Sequence, residues 1–173
     1  MYGRERAYMC VNEAPRRTSE MQHTLSTAYS TLLLTHIYPH STITLRIHIL
    51  SQDGSLLASC INAATLALID AGIPMTDYLV ACTAASSASS DSDVSDPLLD
   101  LNGLEEQELP FLTVATLGKT EKVNTLIMES RVRAEKVESM LAVGIEGCKR
   151  IQEILDGVVK EYGKRYDWEA ALP

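Results

Sequence analysis

Apolar residues recur along this chain with two periods, and a change of period marks the passage from one predicted element to the next. Residues 19–36 repeat apolar side chains at helical spacing, beginning with Met21 and Leu25, which predicts an amphipathic helix of about four turns. Residues 42–50 instead alternate isoleucine or leucine with polar residues, which predicts a strand with one buried face. The early part of the chain is thus predicted to be a helix followed by a strand.

A tight turn and an alanine-rich helix follow this strand. Asp53-Gly54 is a turn signal, and Ser55 favours the N-cap position. Gly72 and Pro74 end the helix, because glycine tolerates the left-handed position and proline cannot continue a helix. A helix N-terminus after a glycine turn offers free N–H groups and a partial positive charge, which suit an anion such as phosphate. Many strand–turn–helix units bind nothing, so the turn alone leaves both interpretations open.

The second half of the chain alternates apolar strands with longer helical segments. We expect a short strand at 78–84, a polar, acidic and disordered surface loop at 86–96, and two strands at 110–117 and 123–129. A final helix is expected from 133 to 164, where Gly144, Gly147 and Gly157 permit close packing or kinks. This order of elements predicts an α+β or α/β sandwich in which helices cover a mixed sheet.

The charge of the chain is strongly uneven. The 173 residues carry a formal net charge of −8, and residues 51–110 hold ten acidic residues without a Lys or Arg. An acidic protein binds RNA poorly on its own, because affinity for a polyanion depends on neutralising its phosphates. Any RNA contact is therefore expected to be local and basic, at Arg16 and Arg17. The acidic middle is expected to be a partner surface or a solvated face.

The cysteines, histidines and apolar runs give no signal for a metal site, a catalytic triad or a membrane span. Four cysteines are scattered without C-x-x-C spacing, and no histidine has metal or triad spacing. We expect buried thiols such as Cys60 and Cys148 in a reducing compartment, and neither a metal nor a cofactor. No apolar run approaches the ~18–20 residues that span a bilayer, and the N-terminus has no secretory signal, so no membrane partner is expected.

Residues 53–75 read DGSLLASCINAATLALIDAGIPM, which resembles the core signature of the RNase PH family of phosphorolytic 3′→5′ exoribonucleases. In that family a D-G-G-T-R-like turn precedes a helix of the form I-N-A-A-x-x-A-L-x-D-A-G-I-P-M. Residues 96–109 and 16–21 resemble two further family segments. The resemblance implies an α+β RNase PH-like domain, of the ribosomal protein S5 domain 2-like kind, over residues 16–165.

The resemblance also implies that the N-terminal edge of the domain is incomplete. Family domains carry strands before the basic turn that Arg16 and Arg17 resemble, whereas only a short segment precedes it here. We therefore expect a truncated domain whose N-terminal strands are partly missing, with 1–15 as an atypical remnant and 166–173 as a C-terminal tail. Missing strands expose apolar surface and unpaired backbone groups, so a product that does not assemble is one hypothesis.

Active members of the family use inorganic phosphate to attack the terminal phosphodiester of RNA and release a nucleoside diphosphate. The resemblance places Gly54 and Ser55 in the phosphate-binding turn, but Leu57 stands where an Arg would clamp the phosphate. The catalytic Asp of the family aligns with Glu108. The alternative interpretation is that Glu108 is part of a solvated acidic turn. We expect a non-catalytic relative, and the alternative is an active phosphate-dependent 3′→5′ exoribonuclease.

The resemblance implies partners as well as chemistry. Family members of the eukaryotic exosome form a hexameric ring with cap subunits, and single-stranded RNA threads its channel during 3′→5′ degradation and processing. Arg16 and Arg17 match basic residues that hold RNA phosphates, although an Arg pair also suits a helix-start ion pair with Glu20. We expect an RNA-contacting ring subunit, acting in rRNA maturation and mRNA turnover, in the nucleus, nucleolus and cytoplasm.

Overall fold

A computed structural model of the chain describes residues 15–39, 41–86, 97–118, 120, 122–128, 130 and 132–165, without the side chains of 15–18, 135 and 165. The helices are α1 Pro15–Ser30, α2 Leu56–Asp70, α3 Gly103–Glu108 and α4 Ala134–Arg165, with a short 3₁₀ helix at Thr35–Ile37. The strands are β1 Leu79–Ser86, β2 Pro97–Leu99, β3 Phe111–Leu117 and β4 Val123–Met128.

The four strands form one sheet with helices packed on both faces. Their order is β2-β1-β3-β4, and all the pairings described are antiparallel, where the sequence predicts a mixed sheet. One core cluster joins the sheet to α1 and α2, and a second joins it to α4. Leu79 and Ala81 of β1 belong to the first cluster, whereas Val80 and Cys82 belong to the second. The predicted α+β class, a sheet covered by helices, is confirmed.

Helix α2 has the ends that its sequence predicts. Ser55 is the N-cap, and Gly72 follows the last turn with a φ of +65°. The Ile73 N–H donates to the Leu68 carbonyl at 3.1 Å, and the Gly72 N–H donates to the Ile69 carbonyl at 3.0 Å. These two bonds form a Schellman motif, which satisfies carbonyl groups that the end of a helix leaves without a partner.

Polar side chains of α2 take the place of a neighbouring strand along part of β1. Beyond the three residues that pair with β2, the outer edge of β1 has no strand beside it in the described part of the chain. The Asn62 side-chain amide donates to the Ala81 carbonyl and accepts from the Ala81 N–H, both at 2.9 Å. The Thr65 hydroxyl donates to the Leu79 carbonyl at 2.6 Å. Backbone groups that an open edge leaves unpaired are thereby satisfied.

Two glycines allow α4 to lie close against the sheet. A Cβ atom at Gly144 would lie 2.7 Å from Cγ1 of Val114, and one at Gly147 would lie 2.8 Å from Sγ of Cys82. At Gly157, by contrast, an added Cβ meets no atom within 4 Å. The predicted helix is confirmed, and close packing rather than a kink explains the first two of its glycines.

The cysteines in the described part of the chain are buried, as the sequence predicts. Cys60, Cys82 and Cys148 are all thiols within the core. Burial raises the pKa of the Cys82 thiol to about 12 and also raises the pKa of the Cys148 thiol. Thiols that stay protonated are poor nucleophiles and poor metal ligands, so Cys82 and Cys148 act as small apolar groups.

Helix α1 ends earlier than its apolar period predicts. The predicted helix runs to residue 36, whereas α1 ends at Ser30. Leu33 instead forms a β-bridge with Met75, so the backbone pairs with a distant segment where the next helical turn was expected. Leu32 remains in the core, which is why the apolar period continues beyond the helix. The prediction is wrong from residue 31 onward, because tertiary backbone pairing replaces helical pairing there.

The strand predicted at 42–50 is not a strand in the described part of the chain. Ile43, Leu45 and Ile47 pack against the first core cluster, and the polar Arg46 and His48 are exposed. The alternation is therefore present, but no described segment pairs with this backbone. An alternating pattern predicts which face is buried, whereas a strand also requires a neighbouring backbone.

Three predictions concern segments outside the described residues. These are the N-terminal remnant up to residue 14, the surface loop at 87–96 and the tail at 166–173. They stay predictions. Within the part of the chain that is described, no helix combines the length and the apolar character needed to cross a bilayer.

Candidate functional site

The glycine turn before α2 lies tightly against the segment that leads into α3. Gly54 has a φ of +87° and Ser55 a φ of +48°, so both residues have a left-handed backbone. A Cβ atom at Gly54 would overlap the Leu101 carbonyl oxygen and would lie 2.6 Å from the Asn102 carbonyl carbon. Glycine is the residue that fits, because of its conformation and because of this close backbone approach. Packing alone therefore requires it, whether or not the turn binds an anion.

The predicted N-cap Ser55 does not cap α2 with its side chain. Its hydroxyl donates instead to the Leu101 carbonyl at 3.2 Å. Its backbone N–H donates to Oε1 of Glu106 at 2.6 Å. In the opposite direction, the Gly103 N–H at the start of α3 donates to Oδ1 of Asp53 at 3.2 Å. Each helix start thus receives a carboxylate from the other segment, which complements the positive end of a helix.

The N-terminus of α3 is capped by Asn102 and by Glu105, the acid next to Glu106. The side-chain oxygen of Asn102 accepts from the N–H groups of Leu104 and Glu105, at 3.0 and 2.9 Å. The Glu105 carboxylate accepts from the Asn102 N–H at 2.9 Å, which completes a capping box. Glu105 is thus engaged at its own helix, and Glu106 is the carboxylate that reaches α2.

A cleft of about 130 Å³ opens beside this turn. Its walls come from α1, the start of α2, β3, β4 and the segment around Glu106. The described lining consists of Glu20, Met21, Thr24, Gln52, Leu56, Leu57, Glu106, Phe111, Thr113 and Ile127. The charged side chains in this lining are both acidic, and Leu57 adds an apolar group. These lining residues include no cation, and a phosphate dianion in the cleft would lie near the Glu106 carboxylate.

The structure brings together some of the residues that the sequence singles out. Gly54 and Ser55 form the turn, and Leu57 lines the cleft beside it. Glu108 is the last residue of α3, is exposed, and does not belong to the described lining. The alignment of Glu108 with a catalytic carboxylate stays a prediction, and the geometry gives it no contact with the turn.

The predicted RNA-binding pair lies at the start of α1. Arg16 and Arg17 belong to the first turn of this helix, and Arg17 precedes the cleft residue Glu20 by one turn. Their side chains lie outside the described residues, so their role stays a prediction. Elsewhere in the described chain, no group of three or more His, Cys, Asp or Glu residues is placed to hold a metal ion.

Glu106 lies within residues 96–109, which resemble a family segment, but the sequence does not predict its contact with Ser55. Its neighbours Glu105 and Glu108 give the segment the pattern of a solvated acidic turn. The spacing of Asn102 and Glu105 is that of a capping box, which is a local signal for the helix start. The contact between Glu106 and Ser55 joins residues 51 positions apart and has no local signal.

Two models of one family match successive parts of this chain. The model described as 3′ exoribonuclease family, domain 1, matches residues 5–74, and the domain 2 model of that family matches residues 77–147. The chain belongs to the RNase PH family of 3′ exoribonucleases. Together the two matches span α1 to the first part of α4, and they confirm the resemblance seen in residues 53–75.

Curated relatives of the RNase PH family are similar over most of this chain. The Exosome complex component SKI6 of Saccharomyces cerevisiae is 37% identical over 150 residues, which are 87% of this chain and 58% of that protein. The Exosome complex component ski6 of Schizosaccharomyces pombe is 41% identical over 140 residues, 81% of this chain and 55% of that protein. The chain therefore spans somewhat more than half the length of these relatives.

Further comparisons agree with this placement in the family. The Exosome complex component RRP41 homolog of Arabidopsis thaliana is 38% identical over 157 residues, 90% of this chain and 63% of that protein. The crystal structure of rice (Oryza sativa) Rrp46 superposes with a TM-score of 0.76 at 25% identity, covering 88% of this chain and 70% of that one. The fold of the described residues is thus that of RNase PH domains.

Proposed function

We propose that this protein is a subunit of the RNA exosome core ring, of the RRP41 type, which supports 3′→5′ RNA degradation and processing without cleaving RNA itself. Membership of the RNase PH family and the names of its relatives, which are exosome complex components, support assembly into such a ring. The partners in this proposal are the other ring and cap subunits and single-stranded RNA. The proposed locations are the nucleus, nucleolus and cytoplasm.

The observation that carries the non-catalytic part is the state of the turn before α2. Phosphorolysis requires a free anion site with a cation to clamp the phosphate. Here the Ser55 N–H already donates to the Glu106 carboxylate at 2.6 Å, and Leu57 occupies the adjacent wall of the cleft. An isobutyl side chain cannot bind a dianion. Binding of RNA by Arg16 and Arg17, rather than its cleavage, is the proposed activity.

Assembly is tested by co-expressing the chain with the other ring subunits and measuring the mass of the purified complex. Stoichiometric incorporation is expected, and exclusion of this chain from the ring would overturn the proposal. RNA binding by the assembled ring is the second readout. The double variant Arg16→Ala/Arg17→Ala is expected to weaken binding and to reduce its salt dependence, whereas exposed Arg46→Ala is the matched control.

Catalysis is tested by incubating the purified chain and its ring with single-stranded RNA and inorganic phosphate. We expect no nucleoside diphosphate from the wild type. We also expect none from Leu57→Arg, because the new cation would share the cleft with the Glu106 carboxylate. Phosphate-dependent release of nucleoside diphosphates by the wild type would instead establish the alternative, an active phosphate-dependent exoribonuclease.

A further inference from the structure

We infer that residues 42–50 are a docking strand: their backbone and an adjoining pocket accept an extended segment of a partner protein, in which apolar residues alternate with acidic ones. This role goes beyond the proposed function, because it requires neither RNA nor a particular chemistry at the turn before α2. It also explains the alternating segment that the sequence predicts as a strand and for which the described chain supplies no pairing partner.

The docking strand has an extended backbone that is open to pairing. From Ile43 to Ile49 the odd-numbered residues are half-buried and the even-numbered residues are exposed, and this strict alternation indicates an extended conformation. The last backbone hydrogen bond before the segment is donated by Ser41 to the Tyr38 carbonyl at 3.3 Å. Within the described part of the chain, no backbone hydrogen bond is made by 42–50. Its N–H and carbonyl groups therefore resemble those of a sheet edge, which pair readily with another strand.

An apolar pocket of about 40 Å³ adjoins this backbone. Ile43 and Leu45 of the docking strand line it, together with Leu25 and Tyr29 of α1 and Leu68 of α2. Side chains of an incoming strand alternate between two faces, so a small apolar side chain that enters the pocket is followed by one that faces solvent. Partners that add a strand are recognised in this way, by main-chain hydrogen bonds and by pockets for alternate side chains.

The outer face of the docking strand favours an acidic partner. Arg46 is exposed on this face, and residues 41–52 contain no Asp or Glu, although the whole chain has a net charge of −8. Opposite charges across two strands stabilise their pairing, whereas like charges oppose it. Leu50, on the same face, is 98% exposed and offers an apolar contact. Pairing of 42–50 with the same segment of a second copy would bring another Arg46 and no acid, so the partner is a different protein.

Blocked peptides of about eight residues, in which valine alternates with glutamate or with lysine, test the docking strand. Hydrogen exchange of the isotope-labelled chain is followed by nuclear magnetic resonance. We expect fast exchange of the amides of 42–50 in the free chain and slower exchange with the valine–glutamate peptide. The valine–lysine peptide should bind about 2–10-fold more weakly, because its charges oppose Arg46. A valine–glutamate peptide that is methylated at every backbone nitrogen should not bind, since it cannot donate to the strand.

A reversal of charge separates the role of Arg46 from a general electrostatic effect. Arg46→Glu should make the valine–lysine peptide the tighter ligand, whereas Lys160→Glu, the same change of charge at an exposed position of α4, should leave the preference unchanged. The docking role is overturned if the amides of 42–50 are already protected in the free chain, if no peptide binds, or if the three peptides bind alike. These measurements require neither RNA nor ring subunits, so they fail separately from the proposed function.

Discussion

The side-chain amide of Asn62 joins α2 to the central strand β1, and replacing it with alanine isolates that contact. In the structure this amide makes two hydrogen bonds of 2.9 Å, one with the N–H and one with the carbonyl of Ala81. Ala81 is fully buried, so water cannot take the place of the lost amide without opening the core. Asn62→Ala therefore leaves one donor and one acceptor of the backbone without partners.

The expected loss follows from these two groups. A buried polar group left without a partner costs about 1–3 kcal/mol. Alanine is a better helix former than asparagine by about 0.5 kcal/mol, which offsets a small part of the loss in α2. We therefore expect Asn62→Ala to lower the free energy of unfolding by about 2–5 kcal/mol. For a domain of this size, that corresponds to a fall in melting temperature of roughly 5–15 °C.

Urea unfolding followed by far-ultraviolet circular dichroism measures the difference in free energy of unfolding between Asn62→Ala and the wild type. Ser59→Ala is the matched control, because Ser59 is an exposed residue of the same helix, and its free energy should change by less than about 0.5 kcal/mol. Hydrogen exchange should also show that the Ala81 amide loses protection in Asn62→Ala. If the two variants have the same stability, α2 does not depend on the amide contact, and the account of the β1 edge is refuted.

Two further predictions concern the packing of α4 and the buried thiols. Gly144→Ala should destabilise the chain by about 1–3 kcal/mol, because its Cβ would lie 2.7 Å from Val114 Cγ1. Gly157→Ala should stabilise the chain by about 0.5–1 kcal/mol, because an added Cβ meets no atom within 4 Å there. Equal urea midpoints for the two variants would contradict this prediction. Burial raises the pKa of the Cys82 thiol from an ordinary value of 9.0 to about 12 and keeps this thiol neutral in the folded protein. The free energy of unfolding is therefore unaffected by Cys82 below pH 9 and falls as the pH rises towards 12, because only the unfolded thiol ionises in that range. Urea unfolding over this pH range should show a smaller fall in the free energy of unfolding for Cys82→Ala than for the wild type. An identical fall would refute the raised pKa of Cys82.

The elements that the sequence predicts well are those whose signals are local. The Asp53-Gly54 turn and the Gly72 end of α2 are encoded within a few residues, and the structure shows both. Helix α4 is long and strongly periodic, so its existence and approximate bounds follow from spacing alone. In each case, the residues that determine the conformation are neighbours in the chain.

The features that the sequence does not predict depend on distant residues. Helix α1 ends at Ser30 because the following backbone pairs near Met75, and the contact of Glu106 with Ser55 likewise joins separate segments. At 42–50 the alternation correctly indicates the buried face but not the lack of a paired strand among the described residues. Periodicity reports which side chains are buried, whereas hydrogen-bond partners depend on the whole fold.

The retained motif around α2 is therefore weak evidence for phosphate chemistry. Gly54 is required by its contact with Leu101, the Ser55 hydroxyl donates within the chain, and Asn62 holds the edge of β1. Each of these residues has a structural role that does not involve phosphate. Leu57 lines the cleft beside the turn, and its alignment with an Arg of the family stays a prediction. These packing roles hold whether or not phosphate binds, so the motif indicates the family fold and does not by itself indicate phosphorolysis.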